Sequence, residues 1–212
     1  MRKFYFLFLI VFFLGNFVTA QTESVYQVAL EEMNKKNYSL AIENFTKTLE
    51  LLKNNSDVYY NRGLCYSELK EYKKAIADFK NAIKLKNLIP DYYYSCALSE
   101  CYLGYYKDAI SHLNLAIGLS SKNIDYYYLL ALTHYYCENY ADAINNYNSV
   151  LKINPDDLRA IYGIGIIHRI EKKYNDAITF LQRFLDLSPN NHHLRSEAER
   201  LLNEIKKEMS EQ

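Results

Sequence analysis

Five short strings set the frame: Tyr38-Ser39-Leu40-Ala41-Ile42, Tyr72-Lys73-Lys74-Ala75-Ile76, Tyr106-Lys107-Asp108-Ala109-Ile110, Tyr140-Ala141-Asp142-Ala143-Ile144 and Tyr174-Asn175-Asp176-Ala177-Ile178. Each reads Tyr-x-x-Ala-Ile, and each begins 34 residues after the last. A fixed period of this length marks a stack of identical supersecondary units. The blocks start at Thr22, Ser56, Pro90, Ile124 and Leu158, and run 22–55, 56–89, 90–123, 124–157 and 158–191.

The places within a block fill consistently. The twentieth is Ala41, Ala75, Ala109, Ala143 and Ala177; the twenty-fourth is large, as Phe45, Phe79, Leu113, Tyr147 and Leu181. The eighth is small, as Ala29, Gly63, Ala97, Ala131 and Gly165. Apolar residues four apart, then three and four further on, form a stripe of period 3.6 and predict helices. Small residues at the eighth and twentieth places let two helix backbones approach. Turn-forming residues separate the helical runs at Asn54-Asn55-Ser56, Asn87 to Pro90, Asn154-Pro155-Asp156 and Ser188-Pro189-Asn190. Pro90, Asp57, Asp91 and Asp125 suit helix first turns.

The pattern resembles the tetratricopeptide repeat. Tyr59, Tyr93 and Tyr127 take that family's bulky place, and Gly63 and Gly165 its Gly place. Ala82 and Ala116 match its second Ala, and Pro155 and Pro189 its Pro. The first block departs from it, with Val25, Glu32 and Thr48 where large, aromatic and small residues are usual. The resemblance implies an all-α, right-handed α-solenoid of five 34-residue helix-turn-helix repeats. Its helices should pair roughly as 22–36 with 38–53, and so on at each repeat. Residues 192–212 read as a capping helix and tail, with Leu194, Ala198, Leu201, Leu202 and Ile205 as the buried stripe.

Ahead of the repeats, Arg2 and Lys3 precede an apolar run, Phe4 to Leu14, too short to span a bilayer comfortably. Val18-Thr19-Ala20 supplies a small-residue cleavage pattern. Residues 1–20 therefore read as a signal peptide, with the mature chain starting at Gln21; retention as an N-terminal anchor is the alternative. The segment resembles bacterial export signals, which implies a periplasmic or secreted protein that inserts in no membrane after cleavage. Lys plus Arg and Asp plus Glu stand at 25 each, so no global charge points to nucleic acid. Without Arg2 and Lys3, 23 basic residues face 25 acidic ones, a net charge of about −2.

In the family the first helix of each repeat lines a concave groove, with its second, fifth, ninth and twelfth places inward. Carried over, the fifth place is Tyr throughout: Tyr26, Tyr60, Tyr94, Tyr128 and Tyr162. The ninth is aliphatic: Leu30, Leu64, Leu98, Leu132 and Ile166. The second is Glu23, Asp57, Asp91, Asp125 and then Arg159; the twelfth varies as Met33, Ser67, Cys101, Tyr135 and Arg169. The implied groove has parallel Tyr and Leu ladders, an acidic edge and an Arg-bearing C-terminal end. Part of this has a packing explanation. Stacked Tyr and Leu of neighbouring repeats can glue the array, and first-turn acids complement helix dipoles. Repeats of this family that clamp C-terminal carboxylates use Lys and Asn at these places, so that activity is not expected here.

No chemistry-bearing constellation appears. The five His have no metal-ligand spacing, and there is no Gly-rich phosphate loop, nucleophile with an activating base, or paired-carboxylate cleft. No metal or cofactor is expected. The four Cys read as free and buried, with a Cys65–Cys96 bond as the alternative. Sequons at Asn37, Asn44 and Asn54 matter only in a host that glycosylates exported proteins. The expected function is a non-enzymatic scaffold for a partner polypeptide, an apolar segment with some basic residues. The alternative is a structural or assembly subunit of an envelope or secretion complex, working through its convex face or ends.

Overall fold

The computed structural model describes residues 22–211. The export segment 1–20 and its cleavage point lie outside the described residues. Residues 22–34 form α1. There follow α2 (Tyr38–Leu51), α3 (Ser56–Glu68), α4 (Tyr72–Leu85), α5 (Pro90–Tyr102), α6 (Tyr106–Leu119), α7 (Ile124–Tyr136), α8 (Tyr140–Ile153), α9 (Leu158–Ile170), α10 (Tyr174–Leu187) and α11 (Arg195–Ser210). Among the described residues there is no strand, and no helix is long and apolar enough to cross a membrane. The protein is an all-α array of helical repeats, the α-solenoid class.

Helix starts follow from local chemistry. The Asn55 side chain accepts from the backbone N–H groups of Asp57 and Val58, and Asp157 does the same for Arg159 and Ala160. Asn123 caps α7 through the N–H of Asp125, while Pro90 opens α5 with its fixed φ. Each cap satisfies donors that the first helical turn cannot pair internally.

Helix ends inside each repeat share one device. The fifteenth place, Lys36, Lys70, Gly104, Glu138 and Lys172, sits at φ of 63°, 60°, 74°, 60° and 57°. Around it the N–H of Asn37 reaches the carbonyl of Glu32 at 2.8 Å, and that of Lys36 reaches Met33 at 2.9 Å. The same pair of bonds recurs as Glu71 to Tyr66 with Lys70 to Ser67, and as Lys173 to His168 with Lys172 to Arg169. This is a Schellman close, which consumes orphan carbonyls and reverses the chain within three residues.

The described residues gather into two compact units, one ending at Tyr105 and one beginning at Tyr106. In the first, Ala29, Ala41, Phe45, Val58 and Cys65 form one core cluster, and Ala75, Ile76, Phe79 and Cys96 another. Phe79 fills the space over Gly63: a Cβ there would lie 2.7 Å from Phe79 Cε1. The small eighth place is thus the socket for the large twenty-fourth. In the second unit, Ala143, Tyr147, Val150, Ala160, Ile164 and Ile167 pack together. Beyond them Ala198, Leu201, Leu202 and Ile205 of α11 cover Ile161, Leu181 and Phe184. That helix gives the last repeat the apolar cover that a following repeat would supply.

Candidate functional site

One face of the first helices, α1, α3, α5, α7 and α9, carries the second, fifth, ninth and twelfth places. All five fifth-place tyrosines are half-buried, and so are Leu30, Leu64, Leu98, Leu132 and Ile166. Glu23, Asp57, Asp91, Asp125 and Arg159 are exposed. Each helix therefore presents a charged rim beside an aromatic and an aliphatic contact one turn apart, on the same face by the i, i+4 rule.

The tyrosines are held by the helices packed around them. Their rings lean on the second helix of their own repeat: Tyr26 on Phe45 at 6.0 Å, Tyr60 on Phe79 at 5.7 Å, Tyr128 on Tyr147 at 5.9 Å and Tyr162 on Phe184 at 5.1 Å. For Tyr26, Tyr60 and Tyr128 the hydroxyl or ring face meets the first helix of the next repeat. Asn61 Nδ2 donates to Tyr26 Oη at 3.1 Å, and Tyr60 shares a hydrogen bond with Ser95 Oγ at 3.3 Å. Tyr60 also lies 4.7 Å from the Tyr92 ring. Burial raises the hydroxyl pKa of Tyr26, Tyr60, Tyr128 and Tyr162, so all four are neutral donors at neutral pH. Such residues act as rigid amphipathic anchors, part glue and part open surface.

The charged rim is neutralised within the fold at Asp57 and Asp125. Asp57 accepts from Tyr92 Oη at 2.5 Å and from Lys86 Nζ at 3.1 Å. The Tyr92 hydrogen bond, with Lys86 behind it, holds the Asp57 carboxyl below its ordinary range. Tyr92 itself is pushed up to about 12, first by burial and then by Asp57. Arg159 binds Asp157 at 2.9 Å and Asp125 at 3.1 Å, and its guanidinium sits 4.5 Å over the Tyr128 ring. Its hydrogen bonds to Asp157 raise its pKa further, so it is a permanent cation clamped by two carboxylates. Glu23 accepts from Gln27 at 2.8 Å.

At the twelfth place Ser67 shares a hydrogen bond with Ser99 at 3.0 Å, and Arg169 donates to Glu204 of α11 at 2.8 Å. Cys65, Cys96, Cys101 and Cys137 are free thiols. Burial pushes the Cys65 thiol up to about 12, far from nucleophilic. Two groups of tyrosines were missed by the sequence reading. Tyr92 and Tyr126, at the third place, are buried. The thirteenth-place tyrosines, Tyr102 and Tyr136, are 63% and 57% exposed. They stack flat on Tyr72 at 4.6 Å and Tyr106 at 6.0 Å. The signal for the second group was present: the Tyr that opens each repeat string stands 30 residues before the thirteenth place of the next block.

Two models described as tetratricopeptide repeat match the chain, over residues 56–86 and 128–192. No curated protein matches the sequence. Among solved structures, the crystal structure of MamA is similar at a TM-score of 0.74 and 23% identity, over 76% of this chain and 94% of that one. YrrB, described as a TPR protein with an unusual peptide-binding site, is similar at a TM-score of 0.75 and 20% identity, over 86% of this chain and 97% of that one. MamA 41-end from Desulfovibrio magneticus RS-1 follows at 0.72 and 17%, over 84% and 95%. At these identities the structural likeness speaks for the fold alone. The 34-residue register, the paired helices with small residues opposite large ones, and the two family matches converge: the chain belongs to the tetratricopeptide-repeat family.

Proposed function

We propose that this protein is a non-enzymatic scaffold, exported from the cytoplasm, that holds an apolar segment of a partner polypeptide along the tyrosine face of its first helices. The carrying observation is that the fifth place is Tyr in every repeat and half-buried, with the rings of Tyr26, Tyr60, Tyr128 and Tyr162 braced from their own repeats. A preformed aromatic surface of this kind binds with little ordering cost. Tyrosine anchors in such settings account for much of the binding energy at protein interfaces. YrrB, of the same fold, is described as having a peptide-binding site, which is consistent with this use of the fold. The exposed faces of Asp57, Asp91 and Asp125 favour basic residues on the segment. Lys86 and Arg159 already occupy two of these carboxylates, so that contribution is secondary to the apolar one.

A role as an assembly subunit has one observation in its favour, the exposed stacked tyrosines away from the fifth place. Partner capture separates the two readings. The full chain and a Tyr60→Ala/Tyr94→Ala/Tyr128→Ala variant, shown by circular dichroism to be folded, are used as baits on the host's envelope fraction. Loss of a specific partner from the variant supports the tyrosine face. Unchanged capture moves the working surface elsewhere and favours assembly.

A further inference from the structure

The turns that join the first and second helix of each repeat lie at one end of the hairpins, and in the first unit that end has an unusual composition. The turn after α1 and the turn after α3 are joined by a shallow recess lined by Lys36, Tyr38, Leu40 and Leu69. The turn after α3 and the end of α5 are joined by the flat Tyr72–Tyr102 stack. Tyr102, Leu40, Tyr105 and Leu69 are all exposed there. The same end carries Lys35, Lys36, Lys70, Lys73 and Lys74. Lys35 pairs with Glu32 and Lys74 with Glu71, while Glu68 is engaged by the Tyr38 hydroxyl. Among the described residues Lys36, Lys70 and Lys73 have no carboxylate partner.

The opposite end of the same hairpins is a natural contrast. It also exposes aliphatic side chains, Leu88 most of all; its Lys86 is tied to Asp57, while Lys53 and Lys84 have no carboxylate partner among the described residues. Apolar exposure and unpaired lysines occur at both ends; exposed tyrosines, Tyr102 and Tyr105, set beside three unpaired lysines, belong to one.

We propose that the turn end of the first unit is a docking surface for an anionic phospholipid bilayer. Tyr is the side chain that settles at headgroup depth, ring toward the acyl region and hydroxyl toward water. Lys keeps its ammonium among phosphates while its methylenes lie along apolar neighbours. Three unpaired lysines beside four exposed apolar side chains match the two halves of such a surface, charge and interfacial partitioning. The contact is peripheral, and no helix enters the membrane. It does not depend on the groove function, and it leaves the tyrosine face of the first helices open.

The chain has no Trp, so one can be placed as a reporter. The probe is a vesicle of phosphatidylglycerol and phosphatidylcholine, with phosphatidylcholine alone as its neutral counterpart, and some lipids carry brominated acyl chains as quenchers. In the full chain, Tyr102→Trp should shift to the blue and be quenched on the anionic vesicles only. Leu88→Trp, at the opposite end, should stay unquenched. These readouts are local, so lipid affinity of the apolar run Phe4 to Leu14 does not produce them. Adding Lys36→Glu, Lys70→Glu and Lys73→Glu to the Tyr102→Trp chain should weaken its response about ten-fold or more. Raising the salt should weaken it as well. The proposal is overturned by quenching at Leu88→Trp as strong as at Tyr102→Trp, by equal response to neutral vesicles, or by indifference to the lysine changes. Inorganic phosphate giving the same blue shift would make this a free-anion site. A stronger response to a single-stranded oligonucleotide would make it a nucleic-acid surface.

Discussion

Arg159 bridges two repeats: its guanidinium lies 4.5 Å over the Tyr128 ring and binds Asp125, 34 residues earlier, at 3.1 Å. A second fork reaches Asp157, the buried cap of its own helix. Arg159→Met keeps the stem but leaves the Asp157 carboxylate short of a partner. The expected loss is about 1–2 kcal/mol in denaturant titration. Arg159→Lys should recover little of it, because an ammonium cannot bond two carboxylates and stack at once. In a double-mutant cycle with Tyr128→Leu, coupling should be about 0.5–1 kcal/mol. Zero coupling would show that the stack contributes nothing.

Glycine positions give opposite expectations within one chain. Gly63→Ala puts a Cβ 2.7 Å from the ring of Phe79, itself fully buried. It should destabilise by about 1–3 kcal/mol, and Phe79→Leu should restore part of the loss. Gly118→Ala meets nothing within 4 Å near the end of α6 and should stabilise by up to about 1 kcal/mol through helix propensity. Thermal melts of the two variants moving in the same direction would contradict the packing.

The fifteenth place demands a left-handed backbone, which costs an L-residue about 1 kcal/mol or more. Only Gly104 meets the demand without that cost; Lys70 and Lys172 do not. Lys70→Gly and Lys172→Gly should therefore each stabilise by about 0.5–1 kcal/mol, the added freedom of the unfolded chain offsetting part of the gain. Gly104→Ala should cost a similar amount. Calorimetric melting of the three variants checks both signs.

How much of this was legible beforehand depends on the residue. The period, the Ala and Phe or Leu stripe and the small sockets could be read directly, because apolar spacing and volume determine which faces meet. The left-handed close was hidden, since Lys and Glu usually stand where Gly would announce it. The tyrosines were visible as a row, but sequence spacing does not show that Tyr60 leans on Phe79 and Tyr92 at the same time. Nor could it reveal that Asp57 and Asp125 are already engaged, because their partners Lys86 and Arg159 stand about one repeat away.

Acid sensitivity follows from Asp57. Its folded pKa is depressed, chiefly by the Tyr92 hydrogen bond. A carboxyl of this kind adds stability that is fully present above its unfolded value of about 4, and that stability is lost as pH falls through the lower folded value. Tyr92→Phe removes the main cause. It should lower stability at neutral pH and flatten the decline between about pH 4 and pH 2. Equal slopes for the two proteins across that window would mean that Asp57 is not the titrating group.

The hot-spot prediction separates binding from packing. Tyr60 and Tyr128 brace on Phe79 and Tyr147, so truncation to Ala removes core contacts along with any contact to a partner. Tyr→Phe keeps the ring and deletes only the hydroxyl, which makes it the cleaner first probe. At Tyr60 the hydroxyl is shared with Ser95 and has capacity for one further bond. If a partner's backbone uses it, Tyr60→Phe should weaken binding by about 0.5–1.5 kcal/mol while the melting temperature scarcely moves. Tyr60→Ala and Tyr128→Ala should cost about 1–3 kcal/mol of binding each. Their effect on stability, measured in the absence of partner, has to be subtracted through the folded fraction. Asp57→Asn should act mainly on the association rate with a basic segment, and modestly, because Lys86 already shields that carboxylate. Titration calorimetry with the captured partner decides between the outcomes. If Tyr60→Ala and Tyr128→Ala lower stability but leave the partner's affinity unchanged, the tyrosine row is packing material only, and the binding surface lies on another face of the repeats.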